Sequence, residues 1–190
     1  HMGLNNPEVI NQRIMHPAEG SLFEIKGTVD LVIDKNALPT FTQVQPLTNE
    51  ETEAWVRPRN IHVVAATVGE DEHTVGLHEI LDIKHGGIEK YGFYCHDLGS
   101  SVSIERVLDV VEQTGARAVL ISTIVTHADI HKQHMRQLAR LATERGVRSD
   151  VLLIAGGPRI SDRLARDCGM DTGFGHGTSG RDVASFLVRK

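Results

Sequence analysis

From residue 61 onward, short runs of β-branched and small apolar residues alternate with longer stretches at helical spacing. The runs cover 61–68, 93–96, 118–122, 151–155 and, more weakly, 170–174. The helix-like stretches cover 73–84, 102–114, 129–145, 159–168 and 180–189. In the second of these, Ile104, Val107, Leu108, Val110 and Val111 fall at helical intervals, and Gly115 follows as a stop. Five strands alternating with five helices imply a parallel sheet covered on both faces. Such a chain is too short for the six-strand dinucleotide arrangement. The expected architecture is therefore α/β: a flavodoxin-like (Rossmann-like), doubly wound, five-stranded parallel sheet over residues 61–190.

Residues 1–60 follow a different pattern and are expected to form an N-terminal appendage or linker. His1 before Met2 has the look of a tag-cleavage scar and is set aside. Phe23-Glu24-Ile25-Lys26 through Val29-Asp30-Leu31 alternates apolar and polar residues, which predicts a half-buried strand. Pro39, Pro46 and the polar run 48–52 come next, and Arg57-Pro58-Arg59-Asn60 leads into the sheet domain. The 190 residues suit one domain with a substantial appendage rather than two full domains. The net charge of -5 and the absence of a basic, aromatic-interleaved stripe argue against a nucleic-acid partner. No apolar run is long enough to cross a bilayer. Cys95 and Cys168 have no paired spacing, which fits a reduced, cytoplasmic setting.

In doubly wound sheets, ligands bind beyond the carboxyl ends of the strands. The glycine- and hydroxyl-rich segments of this chain fall at those ends: 69–76, 97–101, 122–127, 156–159 and 173–178. Any one of them reads as a tight βα turn. Together along one rim they predict an extended ligand with a long, narrow portion. No G-x-G-x-x-G follows the first strand and no Walker A lysine follows a glycine loop, which disfavours a nucleotide.

One rim segment carries a histidine with a carboxylate two residues before it, Asp71-Glu72-His73. Such a carboxylate can take the proton of one imidazole nitrogen and leave the other free for a metal. Further ligands at zinc spacing are missing, so a closed, protein-ligated site is disfavoured. A single protein ligand suits a metal that brings its own macrocycle.

Asp71-x-His73-x-x-Gly76, Ser122 and Gly156-Gly157, in this order, resemble the fingerprint of base-off, histidine-on cobalamin domains. The resemblance implies that His73 ligates cobalt in place of dimethylbenzimidazole, with Asp71, Thr74, Val75 and Gly76 around it. It implies a slot for the displaced nucleotide tail, with Ser122 hydrogen-bonding the base and Gly156-Gly157 leaving room beside it. Thr123, Ile124, Thr126, Pro158, Phe174, Gly175, His176 and Gly177 complete the implied cofactor contacts. Ile124 stands where leucine is usual and preserves an apolar wall.

Lys84 lies eleven residues beyond His73, at the predicted end of the first helix. Taken alone it is a cation near a helix C-terminus, favourable to the macrodipole. The string from His73-Thr74-Val75-Gly76 to Lys84 nevertheless resembles the adenosylcobalamin- and pyridoxal-phosphate-dependent lysine 5,6-aminomutases and ornithine 4,5-aminomutases. Similarity continues through Leu98-Gly99-Ser100, Val125-Thr126, Pro158-Arg159-Ile160 and Gly173-Phe174-Gly175. It implies that Lys84 forms a Schiff base with pyridoxal 5'-phosphate, an amine being the group that captures an aldehyde and surrenders it to a substrate amine.

On that reading the chain is the cobalamin-binding subunit or domain of an isomerase that moves an amino group of lysine or ornithine by radical chemistry. It would act only with a TIM-barrel partner that holds pyridoxal phosphate and the amino-acid substrate, because it is too short to contain such a barrel. The alternatives are a corrinoid carrier for methyl transfer or a cobalamin sensor, in which Lys84 has no task. A flavodoxin-like phosphate or flavin binder using the same loops is a further possibility.

Overall fold

A computed structural model of the chain describes residues 4–16, 20–29 and 45–190. The chain divides into two compact units, His1–Val44 and Gln45–Lys190. In the first, β1 (Asn5–His16) and β2 (Gly20–Thr28) pair as an antiparallel hairpin with register shifts along it. The alternation around Phe23 does mark a strand, but not a half-buried one. Phe23 is 50% exposed, and Val9, Ile10 and Leu22 are also exposed. Two strands alone offer no second layer under which either face is buried. Asp30, Leu31 and Pro39 lie outside the described residues.

The second unit contains β3 (His62–Thr67), α2 (Val75–Leu81), β4 (Tyr94–Asp97), α3 (Ile104–Thr114), β5 (Ala118–Ser122), α4 (Ile130–Glu144), β6 (Leu152–Gly156), α5 (Asp162–Asp167), β7 (Thr172–Phe174) and α6 (Gly180–Val188). The strands pair in parallel in the order β4-β3-β5-β6-β7. This is the expected doubly wound sheet. Consecutive strands diverge to either side of β3, so a crevice opens beyond the ends of β3 and β5.

Strand periodicity sends alternate side chains to opposite faces, and both faces are covered. Val64, Val119, Ile121 and Leu153 pack with Val107, Leu108, Met135 and Leu138 from α3 and α4. Val63, Ala65, Leu120 and Ile154 pack with Leu77, Leu81, Val183 and Leu187 from α2 and α6. Burial on both faces is why β3, β5 and β6 read as near-continuous apolar runs, whereas the edge strands β4 and β7 are only partly buried.

The expected first helix over 73–84 is shorter in the structure. It ends at Leu81 because Asp82 adopts an extended backbone (φ -69°, ψ 129°) and caps a separate 3-10 turn, Ile83–His85. Lys84 therefore sits on that turn and not at a helix end.

Helix α1 (Asn49–Val56) precedes the sheet and packs with it. A reciprocal capping box between Thr48 and Glu51 starts it, and Val56 is fully buried. Tyr91 donates its hydroxyl hydrogen to Asn49 at 2.8 Å. The Leu47 N–H donates to Ser185 at 2.9 Å, and the Leu47 carbonyl accepts from Arg181 at 2.8 Å. Residues 45–60, which the sequence pattern groups with the appendage, are thus tied to the sheet unit. A chain starting at Gln45 is expected to unfold in one cooperative transition. A chain starting at Ile61 is expected to lose about 2–5 kcal/mol in urea denaturation, the cost of emptying large buried apolar positions.

Candidate cofactor-binding site

Beyond β3 the chain turns through Gly69, whose left-handed φ of +68° and missing side chain let the His134 ring lie against it. The next turn brings Asp71 inward, where its side chain is only 3% exposed. Its Oδ1 accepts the backbone N–H of His73 at 3.1 Å and lies 2.9 Å from His73 Nδ1. Its Oδ2 accepts the N–H groups of Ile124 at 2.6 Å and Val125 at 3.0 Å. The Asp71 carbonyl accepts from Thr67 Oγ1 and from the Ser101 N–H.

Burial alone would push the Asp71 carboxyl up. The N–H groups of Val125, Ile124 and His73 outweigh it and hold the carboxyl below its ordinary value. An ionised carboxylate only accepts hydrogen bonds, so His73 Nδ1 is the donor, and in the neutral ring Nε2 carries the lone pair. The His73 side chain is 59% exposed, so that nitrogen is open to a ligand from outside. Among the described residues, no group of three or more His, Cys, Asp or Glu side chains is arranged to hold a metal ion.

Beside this loop is a cavity of about 270 Å³ between the ends of the strands and the helices α2 and α6. Gly76, Leu77, Glu79 and Ile80 form one wall, and Leu120, Ile121, Ser122, Ile124 and Ile154 the floor. Gly156, Gly157 and Pro158, then Phe174 through Thr178, with Val183, close it. Gly157 must be glycine: its φ is +150°, and a Cβ there would lie within 2.0 Å of the Thr123 carbonyl oxygen. At Gly156 the nearest protein atom to such a Cβ is 3.9 Å away, so its missing side chain leaves ligand space instead of relieving a clash.

Of the residues singled out in the sequence, Gly76, Ser122, Ile124, Gly156, Gly157, Pro158, Phe174, Gly175, His176 and Gly177 line this cavity. Asp71, His73, Thr74 and Val75 form the adjoining loop and helix start, and Ile124 joins the two through its N–H bond to Asp71. Thr123 is buried behind the floor, and Thr126 accepts from Arg159 on the rim at 3.4 Å. Lys84 is exposed on its turn and is not part of the lining. Sequence reasoning missed Leu77, Glu79, Ile80, Leu120, Ile121, Ile154 and Val183. Apolar residues that wall a cavity follow the same periodicity as those that fill a core, so only the 3.6-residue stripe on α2 hinted at them.

Fold and site together define a cobalamin-type α/β domain, and the comparisons agree. The B12 binding domain family matches residues 61–184, and the dimerisation domain of D-ornithine 4,5-aminomutase matches residues 1–41. The D-ornithine 4,5-aminomutase subunit beta of Acetoanaerobium sticklandii is 44% identical over all of this chain, which spans 26% of that protein. The lysine 5,6-aminomutase beta subunit of Fusobacterium nucleatum is 32% identical over the whole chain and 75% of its own length. A cobalamin-binding protein from Desulfitobacterium hafniense superposes with a TM-score of 0.58 at 25% identity, over 74% of this chain and 66% of that one. The Methanosarcina barkeri monomethylamine corrinoid protein shares the fold, with a TM-score of 0.53 at 20% identity over 73% of this chain and 61% of its own. The chain belongs to the B12-binding domains and, within them, to the aminomutase beta subunits.

Asp71 is expected to matter for stability as well as for His73. In Asp71→Asn, an amide N–H₂ confronts N–H donors, which should cost about 1–3 kcal/mol in chemical denaturation. Because the folded carboxyl is held below its ordinary value, its contribution is present above the unfolded pKa and lost as pH falls through the folded one. Acid titration of stability should therefore show a drop below the ordinary carboxylate range, and a smaller drop in the Asn variant.

Proposed function

We propose that this chain is the cobalamin-carrying part of an adenosylcobalamin- and pyridoxal-phosphate-dependent aminomutase acting on lysine or ornithine. The observation that carries the reading is the Asp71-oriented, exposed His73 beside a largely apolar cavity lined in part by Gly156-Gly157. One free imidazole nitrogen and one slot suit a cobalt macrocycle with a detachable nucleotide tail. His73 Nε2 would ligate the cobalt while Asp71 holds the proton on Nδ1, and Ser122, which lines the cavity, would meet the base. The apolar walls keep water from the tail.

Bound adenosylcobalamin supplies a carbon radical and pyridoxal phosphate supplies the carbonyl that carries the migrating amino group. The Lys84 side chain is exposed and makes no ion pair among the described residues, so its amine is available to an aldehyde held by a partner. Ornithine and lysine aminomutase beta subunits are the relatives that support this role for Lys84. A TIM-barrel subunit or domain is the partner proposed to hold the substrate. The exposed apolar residues of the hairpin, in the segment matched by the dimerisation family, suit contact with a second copy of the chain.

Titration with aquocobalamin should shift the cobalt absorption bands on binding. His73→Ala should bind at least about tenfold more weakly and leave the bands unshifted. An identical shift in the variant would remove His73 from the cobalt. Pyridoxal phosphate and borohydride, added in the presence of the barrel partner, should label Lys84, and Lys84→Ala should abolish the label. Absence of labelling at Lys84 would leave a corrinoid carrier without pyridoxal phosphate chemistry.

A further inference from the structure

The turn that presents Lys84 abuts the two helices that wall the cavity. It leaves α2 at Leu81 and returns to the core at Ile88, both buried. Asp82 accepts the Lys84 N–H at 2.8 Å through its side chain and the Gly87 N–H at 2.9 Å through its carbonyl. Gly86 closes the turn in a left-handed conformation, with φ of +77°. Gly87 then presses on the end of α2, so that a Cβ there would fall 2.3 Å from the Leu81 carbonyl carbon. Gly180, the first residue of α6, approaches from the other side. Its Cβ would fall 2.8 Å from Gly87 Cα and 3.1 Å from the Gly86 carbonyl oxygen. The same two helices wall the cavity, α2 through Gly76, Leu77 and Ile80 and α6 through Val183.

We propose that Gly87 and Gly180 are positioning residues for Lys84, joining its turn to the cavity walls so that a ligand filling the cavity also fixes the turn. Where backbone meets backbone there is no side-chain rotamer to absorb a displacement, and a close-packed interior transmits it. Helix α2 has only seven residues. A nucleotide tail held between α2 and α6 removes freedom from both, and the Lys84 turn they grip is ordered with them. This inference rests on the cobalamin reading above and adds a physical link between its two cofactor-bearing residues.

Amide hydrogen exchange on the full chain tests it, with no ligand, with aquocobalamin, and with diaquocobinamide, which keeps the corrin and cobalt but lacks the nucleotide tail. Aquocobalamin should slow exchange over residues 82–90 by about tenfold, a size usual for linked sites. Cobinamide should leave these residues as in the free chain. In Gly180→Ala, protection over 82–90 should vanish while 175–178 remains protected by aquocobalamin. Should that variant not fold, the comparison of the two ligands on the unaltered chain still decides. Equal protection by both ligands, or protection of 76–80 and 175–178 without 82–90, overturns the link. An unchanged cobalt spectrum with no protection anywhere overturns the cobalamin reading itself, and the link with it.

Discussion

The Asp71 carboxylate accepts hydrogen bonds from His73 at one oxygen and from Ile124 and Val125 at the other. Two loops from different strands are therefore held by one buried charge. A buried carboxylate without partners is costly, and charge-assisted bonds to well-placed N–H groups offset that cost. The same bonds give His73 a fixed tautomer although its ring is largely exposed. The orientation of the His73 ring and the position of the cavity floor at Ile124 thus depend on a single side chain.

That charge sits where the topology opens the sheet. The chain order reverses between neighbouring β3 and β5, so the loops that follow them diverge, and the crevice between them becomes a cavity because α2 and α6 stand back from the strand ends. Glycine serves different purposes around it. Gly157 permits backbone contact with Thr123, Gly156 leaves ligand space, and Gly87 with Gly180 brings the Lys84 turn against α6. A lysine that is no part of the cavity is in this way mounted on its walls.

How much was legible in the sequence follows from how each signal arises. Strands buried on both faces produce apolar runs whatever their neighbours, so β3, β5 and β6 could be read directly, and the regular alternation with helices supplied the edge strands β4 and β7 and the parallel arrangement. Asp71-x-His73 was legible because its carboxylate and imidazole are local in sequence. The bonds from Asp71 to Ile124 and Val125 span more than fifty residues and leave no local pattern. The helix expected through Lys84 failed at Asp82, whose side chain caps a new turn more favourably than it continues the old one. Helix α1 went unread because its eight residues carry few apolar positions, and its attachment depends on distant Ser185 and Arg181.

The sequence by itself determined the layered α/β class, the rim of loops and the chemical identity of the histidine and its aspartate, since these follow from periodicity and short-range chemistry. Tertiary structure alone decided the cavity, its apolar walls and the docking of the Gly86-Gly87 turn, next to Lys84, against α2 and α6. Those features depend on which surfaces meet across the fold, and an apolar residue facing a void is indistinguishable in sequence from one facing the core.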